Sequence, residues 1–241
     1  MTAARTADPR SRGDADEGDR STISPAVEDY LKAIYNLSDE GEPVSTSAIA
    51  ERLGIAAGSV TGMLKRLAEQ GLVEHVRYYG TRLTDDGTLN AVRTIRRHRI
   101  LELFLVDVLG YTWDRVHEEA ERLEHAVSEE LIDRMAMVLG EPAEDPHGAP
   151  IPAPRGEFHE TRYMSLAELE PGRRATLRRV PDEDADALRY LASLDLIPGT
   201  ELEVLERAPF NGPLTVRIGS DTRVVGRELA CAVGVEPVEE A

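Results

Sequence analysis

The chain has 241 residues, a formal net charge of −17, and a single cysteine, Cys231. That length accommodates two or three small domains rather than one large enzyme barrel, and the lone cysteine excludes a disulfide framework and any thiolate-rich zinc or iron–sulfur site. The acidic balance argues against a non-specific polyanion binder; no run of about 18 apolar residues offers a membrane span, and Met1–Ser24 lacks the apolar stretch of a secretory signal, so a cytoplasmic protein with no membrane partner is expected.

Residues 1–23 are rich in Ala, Arg, Asp, Gly and Ser and nearly devoid of large apolar side chains, which predicts a disordered tail. Ser24-Pro25 then offers an N-cap and a proline in the first turn of a helix whose apolar beat runs through Val27, Leu31, Ile34, Tyr35 and Leu37 and which also carries Glu28 and Asp29. Ser45-Thr46-Ser47 caps a short helix from Ala48 to Leu53, Gly54 turns the chain, and a second helix runs from Ala57 to Gln70 before Gly71. Two short strands, Leu72–Val76 and Thr81–Thr84, join through Tyr78-Tyr79-Gly80. Residues 24–86 thus read as a winged helix-turn-helix.

In such a unit the start of the second helix meets base edges in the major groove of double-stranded DNA. Ala56 and Ala57 offer methyl contacts to thymine, and Ser59 and Thr61 offer donors to bases or phosphates. Lys65 and Arg66 one turn on, with Arg77 and Arg82 on the wing, would neutralise phosphates. Although the whole chain is acidic, the basic side chains from Lys65 to Arg99 cluster in one short stretch. A helical hairpin that merely packs a core is the competing reading, and the order of cap, turn glycine, small-residue helix start, basic second turn and hairpin favours DNA binding.

Residues 87–140 are helical in pattern, broken at Gly110 and around Ser128, with apolar Leu101, Phe104, Leu105, Val108 and Leu109 suited to pairing with a second copy of the chain. A helix from Val92 to Leu109 places His98 and Glu102 four residues apart. On the next helix His117, Glu121, Glu124 and His125 fall within an arc of about 100°, beside an apolar stripe of Val116, Ala120, Leu123, Val127 and Leu131. Imidazoles and carboxylates at the edge of a core suit a metal held by nitrogen and oxygen. A solvated acidic face would give the single stripe by chance, but two neighbouring helices each offering His and Glu favour the metal. His75, His147 and His159 lack such company and read as ordinary surface or loop residues. The prolines of residues 141–161 have a linker composition, and residues 162–241 read as a small β-barrel with strands at Gly172–Val180, Glu201–Glu206, Leu214–Ile218 and Arg223–Gly226 and one helix, Ala185–Leu194. The fold class is mainly α with small β.

Over Val27–Val233 the chain resembles the metal-dependent repressors of the diphtheria-toxin-repressor family. The resemblance rests on Glu28-Asp29-Tyr30-Leu31-Lys32-Ala33-Ile34-Tyr35, Ile49-Ala50-Glu51-Arg52-Leu53, Arg97-His98-Arg99, Val116 to His125, and Pro146-His147-Gly148-Ala149-Pro150-Ile151-Pro152. It implies a homodimer on a palindromic operator, an SH3-like third domain, and a primary metal site of Asp29, Glu121, Glu124 and His125. An ancillary site would map to His98, Glu102 and His117, completed by Asp182, Glu183 or Asp184. Iron-sensing members resemble this chain but carry cysteine and methionine where it has Glu121 and Asp29. The oxygen-rich set suits Mn²⁺, with Fe²⁺ as the alternative, because affinity order alone does not favour Mn²⁺. Lys32 stands where short manganese sensors carry a glutamate for a bridged metal pair, so two separate sites are expected. Metal would act as co-repressor by joining the DNA-binding unit to the dimer core. No phosphate loop or nucleophile elbow supports the rival reading as a metal-dependent enzyme.

Overall fold

The computed structural model describes residues 23–238 apart from 40, 155–157, 159, 160 and 183. The expectation of a disordered tail over residues 1–23 falls almost wholly outside them, as do His159 and Glu183.

Helix α1 (Pro25–Leu37) starts at Ser24 with proline in its first turn. Helix α2 (Thr46–Leu53) is capped by the Ser45 hydroxyl, which accepts from the Ala48 N–H, and ends at Gly54 with φ 64°. Left-handed backbone at that point favours glycine and redirects the chain into α3 (Ala57–Glu69). Val27, Leu31 and Ile34 of α1 pack with Ile49, Val60 and Leu67 in one buried cluster. Strands β1 (Val73–Val76) and β2 (Gly80–Leu83) pair antiparallel as the wing.

The long helix α4 (Asp85–Asp107) begins earlier than the sequence pattern suggests, because Thr84 caps it by accepting from the Gly87 N–H and Asp85 and Asp86 favour the positive end of the helix dipole. Gly87 lies so close to the wing that a Cβ there would stand 2.0 Å from the Leu72 carbonyl oxygen. Helix α5 (Val116–Leu123) is shorter than expected: Glu124 and His125 sit in the turn that follows, and Ser128 caps a separate helix, α6 (Glu129–Val138). The predicted apolar stripe therefore holds only in part. Val116 and Ala120 are buried, whereas Leu131, on the next helix, is exposed. Ile100 and Leu101 of α4, Ala120 of α5, and Ile132 and Ala136 of α6 form a second buried cluster.

The proline-rich stretch is clamped to the protein where the sequence suggests a spacer. Arg96 and Arg99 of α4 donate to the carbonyls of Pro152 (3.0 Å) and Pro150 (2.5 Å), and the Val180 N–H donates to the His147 carbonyl at 3.0 Å. Asp145 folds the strap on itself by accepting from the His147 and Ala149 N–H groups. His147, read from sequence as an ordinary loop or surface residue, is fully buried; the partners that bury it lie in distant segments.

Beyond the strap lies a six-stranded antiparallel sheet. Its strands are β3 (Met164–Ser165), β4 (Arg174–Arg179), β5 (Glu201–Arg207), β6 (Leu214–Ile218), β7 (Asp221–Val225) and β8 (Gly234–Pro237), in the order β3-β8-β4-β5-β6-β7. Two helices accompany it, α7 (Ala185–Ser193) and α8 (Arg227–Ala232), of which the sequence pattern shows only α7. A third cluster, including Leu177, Leu188, Val204 and Val216, fills this region, and Trp113 of the α4–α5 connection packs against it.

Gly148 tests the strap directly: its φ is 82°, and an added Cβ would stand 1.7 Å from the Arg178 carbonyl oxygen. Gly148→Ala is expected to cost about 2 kcal/mol or more in urea denaturation. Gly62→Ala, in open space on α3, should instead gain about 0.5–1 kcal/mol. Equal stability of Gly148→Ala and the parent would contradict a clamped strap.

Candidate metal centre and nucleic-acid interface

Three segments converge beside the first two cores. Helix α1 presents Glu28, Asp29 and Lys32, α4 presents Arg97, His98 and Glu102, and α5 with its following turn presents His117, Glu121, Glu124 and His125. The ring of His125 is fixed on both sides: Nδ1 lies 2.6 Å from Glu28 Oε2, and Nε2 lies 2.9 Å from Asp29 Oδ1. Glu28 is in turn held by Arg97 at 2.5 Å, and Arg97 also meets Glu129 at 2.6 Å. This carboxylate behind an imidazole orients metal-binding histidines generally. The sequence reading noted Glu28 without giving it that role.

Asp29, Glu124 and His125 place ligand atoms within 4.8 Å of one another. Glu121, expected in the same set, turns toward Lys32 and His98, and groups with His98 and Glu124 instead. A cleft of about 480 Å³, lined among others by Asp29, Glu121 and His125, gives this side access to solvent. Deeper in, His98 Nε2 lies 3.0 Å from Glu102 Oε1 and 3.2 Å from His117 Nδ1, so the three residues expected from the resemblance do meet.

A further group combines Glu102 with Asp145, His147 and Asp182. Of the two acidic candidates from the third region among the described residues, Asp182 faces it, while Asp184 caps α7. Sequence reasoning does not assign Asp145 or His147 to a site, although His147 is the histidine of Pro146-His147-Gly148 and Asp145 directly precedes that stretch. Glu102 Oε2, Asp145 Oδ2 and His147 Nδ1 are all buried without a hydrogen-bond partner. Buried polar atoms are rarely left so, and three of them turned toward one another fit a cation.

The electrostatics agree. Burial opposes charge on His98, but the adjoining Glu102, with hydrogen bonds to Glu102 and Glu124, outweighs it and raises its pKa to about 10. Burial likewise opposes charge on His147, and Glu102 and Asp145 lift it to about 9. Asp145 is pushed up to about 6 by burial and by the charge of Glu102, against Arg99 and His147. Burial also works against the charges of Glu124 and Lys32; the His98 hydrogen bond and the Lys32 charge lower Glu124, while Glu124 and Glu121 raise Lys32, so both stay ionised.

The residues expected to touch DNA are all exposed. Ala56 is the N-cap residue of α3, and Ala57, Ser59, Thr61, Lys65 and Arg66 follow along it. Thr61 donates to the Ala57 carbonyl, and Lys65 lies 4.0 Å from Glu69. On the wing Arg77 stacks over Tyr78 at 4.7 Å, and Arg82 pairs with Glu74 at 3.0 Å, a surface contact that competes only weakly with phosphate.

A winged helix joined to a His/carboxylate centre defines a metal-responsive DNA-binding regulator. Residues 22–81 match the model of the iron-dependent repressor N-terminal DNA-binding domain, residues 84–153 that of its metal-binding and dimerisation domain, and residues 164–237 the FeoA domain. The iron-dependent repressor IdeR of Mycobacterium tuberculosis is 32% identical over 224 residues, 88% of this chain and 97% of its own length. The diphtheria toxin repressor of Corynebacterium diphtheriae is 29% identical over 87% of this chain and 96% of its own. A solved structure described as a manganese-dependent transcriptional repressor in complex with manganese is 41% identical and superposes with a TM-score of 0.80, covering 88% of this chain and 100% of its own. The chain belongs to the diphtheria-toxin-repressor family of metal-dependent transcriptional repressors, which act on DNA and are not enzymes. No helix among the described residues is long and apolar enough to cross a membrane.

If His98 or His147 becomes a ligand, its proton must leave. Mn²⁺ affinity is then expected to rise with pH up to the values of about 9 and about 10 to which these rings are raised, with a binding heat that changes with the ionisation enthalpy of the buffer. Calorimetry in two buffers at one pH checks this; equal heats would remove both rings from the ligand set.

Proposed function

We propose that this repressor responds to manganese, with Mn²⁺ as co-repressor. The reading is carried by one observation: Asp29 belongs to a helix packed in the DNA-binding core, Glu124 and His125 belong to the turn after α5, and their ligand atoms fall within one 4.8 Å cluster. A divalent ion bound there supplies charge that the two elements share. Asp29, Glu124 and His125, with Glu121 at the open side, form the primary site. The second site draws on Glu102, Asp145, His147 and Asp182, with His98 and His117 next to it. Burial raises the pKa of Asp29, with Glu124 and Glu121 adding to the rise against His125, so α1 gains most from the junction when a cation is present.

The absence of sulfur from the donor set supports Mn²⁺, as do similar structures described as a manganese regulator, SloR, and as a manganese-dependent repressor. Iron is the second reading, favoured by the iron-dependent repressors among the relatives. The functional unit is a homodimer: Val108, Leu109, Leu131, Met137 and Val138 leave apolar surface exposed on the helical region, which a second copy would cover. Its two winged helices would meet palindromic half-sites about 34 Å apart on one face of operator DNA in the cytoplasm. The domains run over 24–86, 87–140 and 162–241, the last as an SH3-like barrel, with 141–161 between them.

Taking two winged helices from mostly misaligned to mostly aligned requires about 5.5 kcal/mol of differential metal affinity, within reach of several carboxylate bonds. Titrating Mn²⁺ against a labelled operator should raise affinity at least tenfold over chelator-treated protein, and Asp29→Ala should lose most of that response while keeping its helical circular dichroism. Equal operator affinity with and without metal would overturn the reading; an unchanged response in Asp29→Ala would remove α1 from the site.

A further inference from the structure

The space between the two candidate metal sites already holds a positive charge. Lys32 Nζ lies 2.6 Å from Glu121 Oε1, 2.9 and 3.1 Å from the two oxygens of Glu124, and 3.2 Å from His98 Nδ1. Those same three residues, His98, Glu121 and Glu124, place ligand atoms within 4.8 Å of one another and so form a cation position of their own. The position shares Glu124 with the Asp29–Glu124–His125 group on one side and His98 with the His98–Glu102–His117 group on the other.

We propose that the Lys32 ammonium is the resident cation of this central position. It keeps metal out of the space between the two sites and ties α1 to the turn after α5 when no metal is bound. The inference rests on the metal-sensor reading and specifies what that reading leaves open.

An ammonium has three donors, and three carboxylate oxygens, one from Glu121 and two from Glu124, surround this one at bonding distance, with the His98 ring beside them. The side chain of Glu124 is fully buried and that of Lys32 only 14% exposed, so removing Lys32 would leave a buried carboxylate short of a partner. A divalent ion in the same space would face a like charge at contact distance. Each ion on this protein therefore sits apart from the next. Asp29 and Lys32 lie three residues apart on one face of α1, so the helix brings its own ligand and its own cation to the same junction. Metal at Asp29 thus reinforces a contact that Lys32 has already begun.

The test compares full-length, chelator-stripped wild type with Lys32→Met and Lys32→Glu, measuring Mn²⁺ per chain by equilibrium dialysis, the Mn²⁺ electron paramagnetic resonance spectrum at saturation, and melting with and without Mn²⁺. Wild type should show isolated ions. Lys32→Glu should take up one further ion per chain and show an exchange-coupled spectrum. Lys32→Met should melt below wild type without metal and close most of that gap once Mn²⁺ is added. A coupled spectrum from wild type, or no additional ion in a folded Lys32→Glu that otherwise loads like wild type, would overturn the inference. Should Lys32→Glu not fold, an unchanged metal-free melt of Lys32→Met would overturn it. Wild type that takes up no Mn²⁺ at all would instead overturn the sensor reading on which the inference stands.

Discussion

A carboxylate with no solvent-exposed surface, Glu124, is the constraint around which the three elements of the centre arrange themselves. A buried anion is tolerated only when cations and donors surround it. Glu124 has Lys32 from α1, His98 from α4 and its neighbour His125, contributed by three separate stretches of chain. None of these partners is supplied by local backbone. The packing of α1 on α4 and of α4 on α5 is therefore what places the charges, and the charges in turn give that packing a fixed register. Losing Lys32 or His98 takes a cation away from a buried carboxylate, and the imbalance costs far more there than on the surface.

The strap between the second and third clusters follows a different logic. Its prolines lack N–H groups, so an extended backbone there leaves fewer donors to satisfy, and its carbonyls are free to accept from Arg96 and Arg99. The Asp145 carboxylate accepts from the His147 and Ala149 N–H groups, and strap carbonyls take those of Gly148 and Ile151. The result holds His147 against Trp113, with ring centroids 5.8 Å apart, and the Trp113 carbonyl lies 2.9 Å from His147 Nε2. Since Nε2 is occupied in this way, Nδ1 is the nitrogen left facing Glu102 at 3.7 Å. The tryptophan that fixes the ring also packs against the core of the third region, so docking of that region and orientation of His147 are set by one side chain.

Features written in local chemistry were legible in the sequence. The Ser45 cap, the Gly54 turn and the hairpin after Gly71 depend on neighbours a few residues away, and each falls where the pattern places it. The pairing of His98 with Glu102 was legible because four residues make one helical turn. Long-range consequences were not. The apolar stripe from Val116 to Leu131 presumes one continuous helix, yet α5 ends at Leu123 and Ser128 caps a new helix that carries Leu131. His147 reads as a loop residue because its neighbours are proline and glycine; the groups that meet it in its buried position, Glu102, Trp113 and Val180, are more than thirty residues distant along the chain. Strands β3 and β8 are too short, and β8 ends in proline, so neither carries an alternating pattern long enough to register.

The candidate sites also differ from a set of independent cation holes, because their members are shared. From Asp29 the contacts run to His125 at 2.9 Å, on to Glu124 at 3.5 Å, to His98 at 2.6 Å, to Glu102 at 3.0 Å and to His147 at 3.7 Å. Anion and imidazole alternate along this run from a helix of the DNA-binding unit to the strap beneath the third region. A charge added at one end changes what its neighbour can hold: a cation taken up by Glu102 withdraws that carboxylate from His98 and weakens the chief reason the ring keeps its proton. His98 then becomes a better ligand, or a weaker partner for Glu124, depending on what else has bound. Occupancy at the buried end is thereby connected to the charge balance around Glu124, and so to α1, through contacts between named groups rather than through any motion of the backbone.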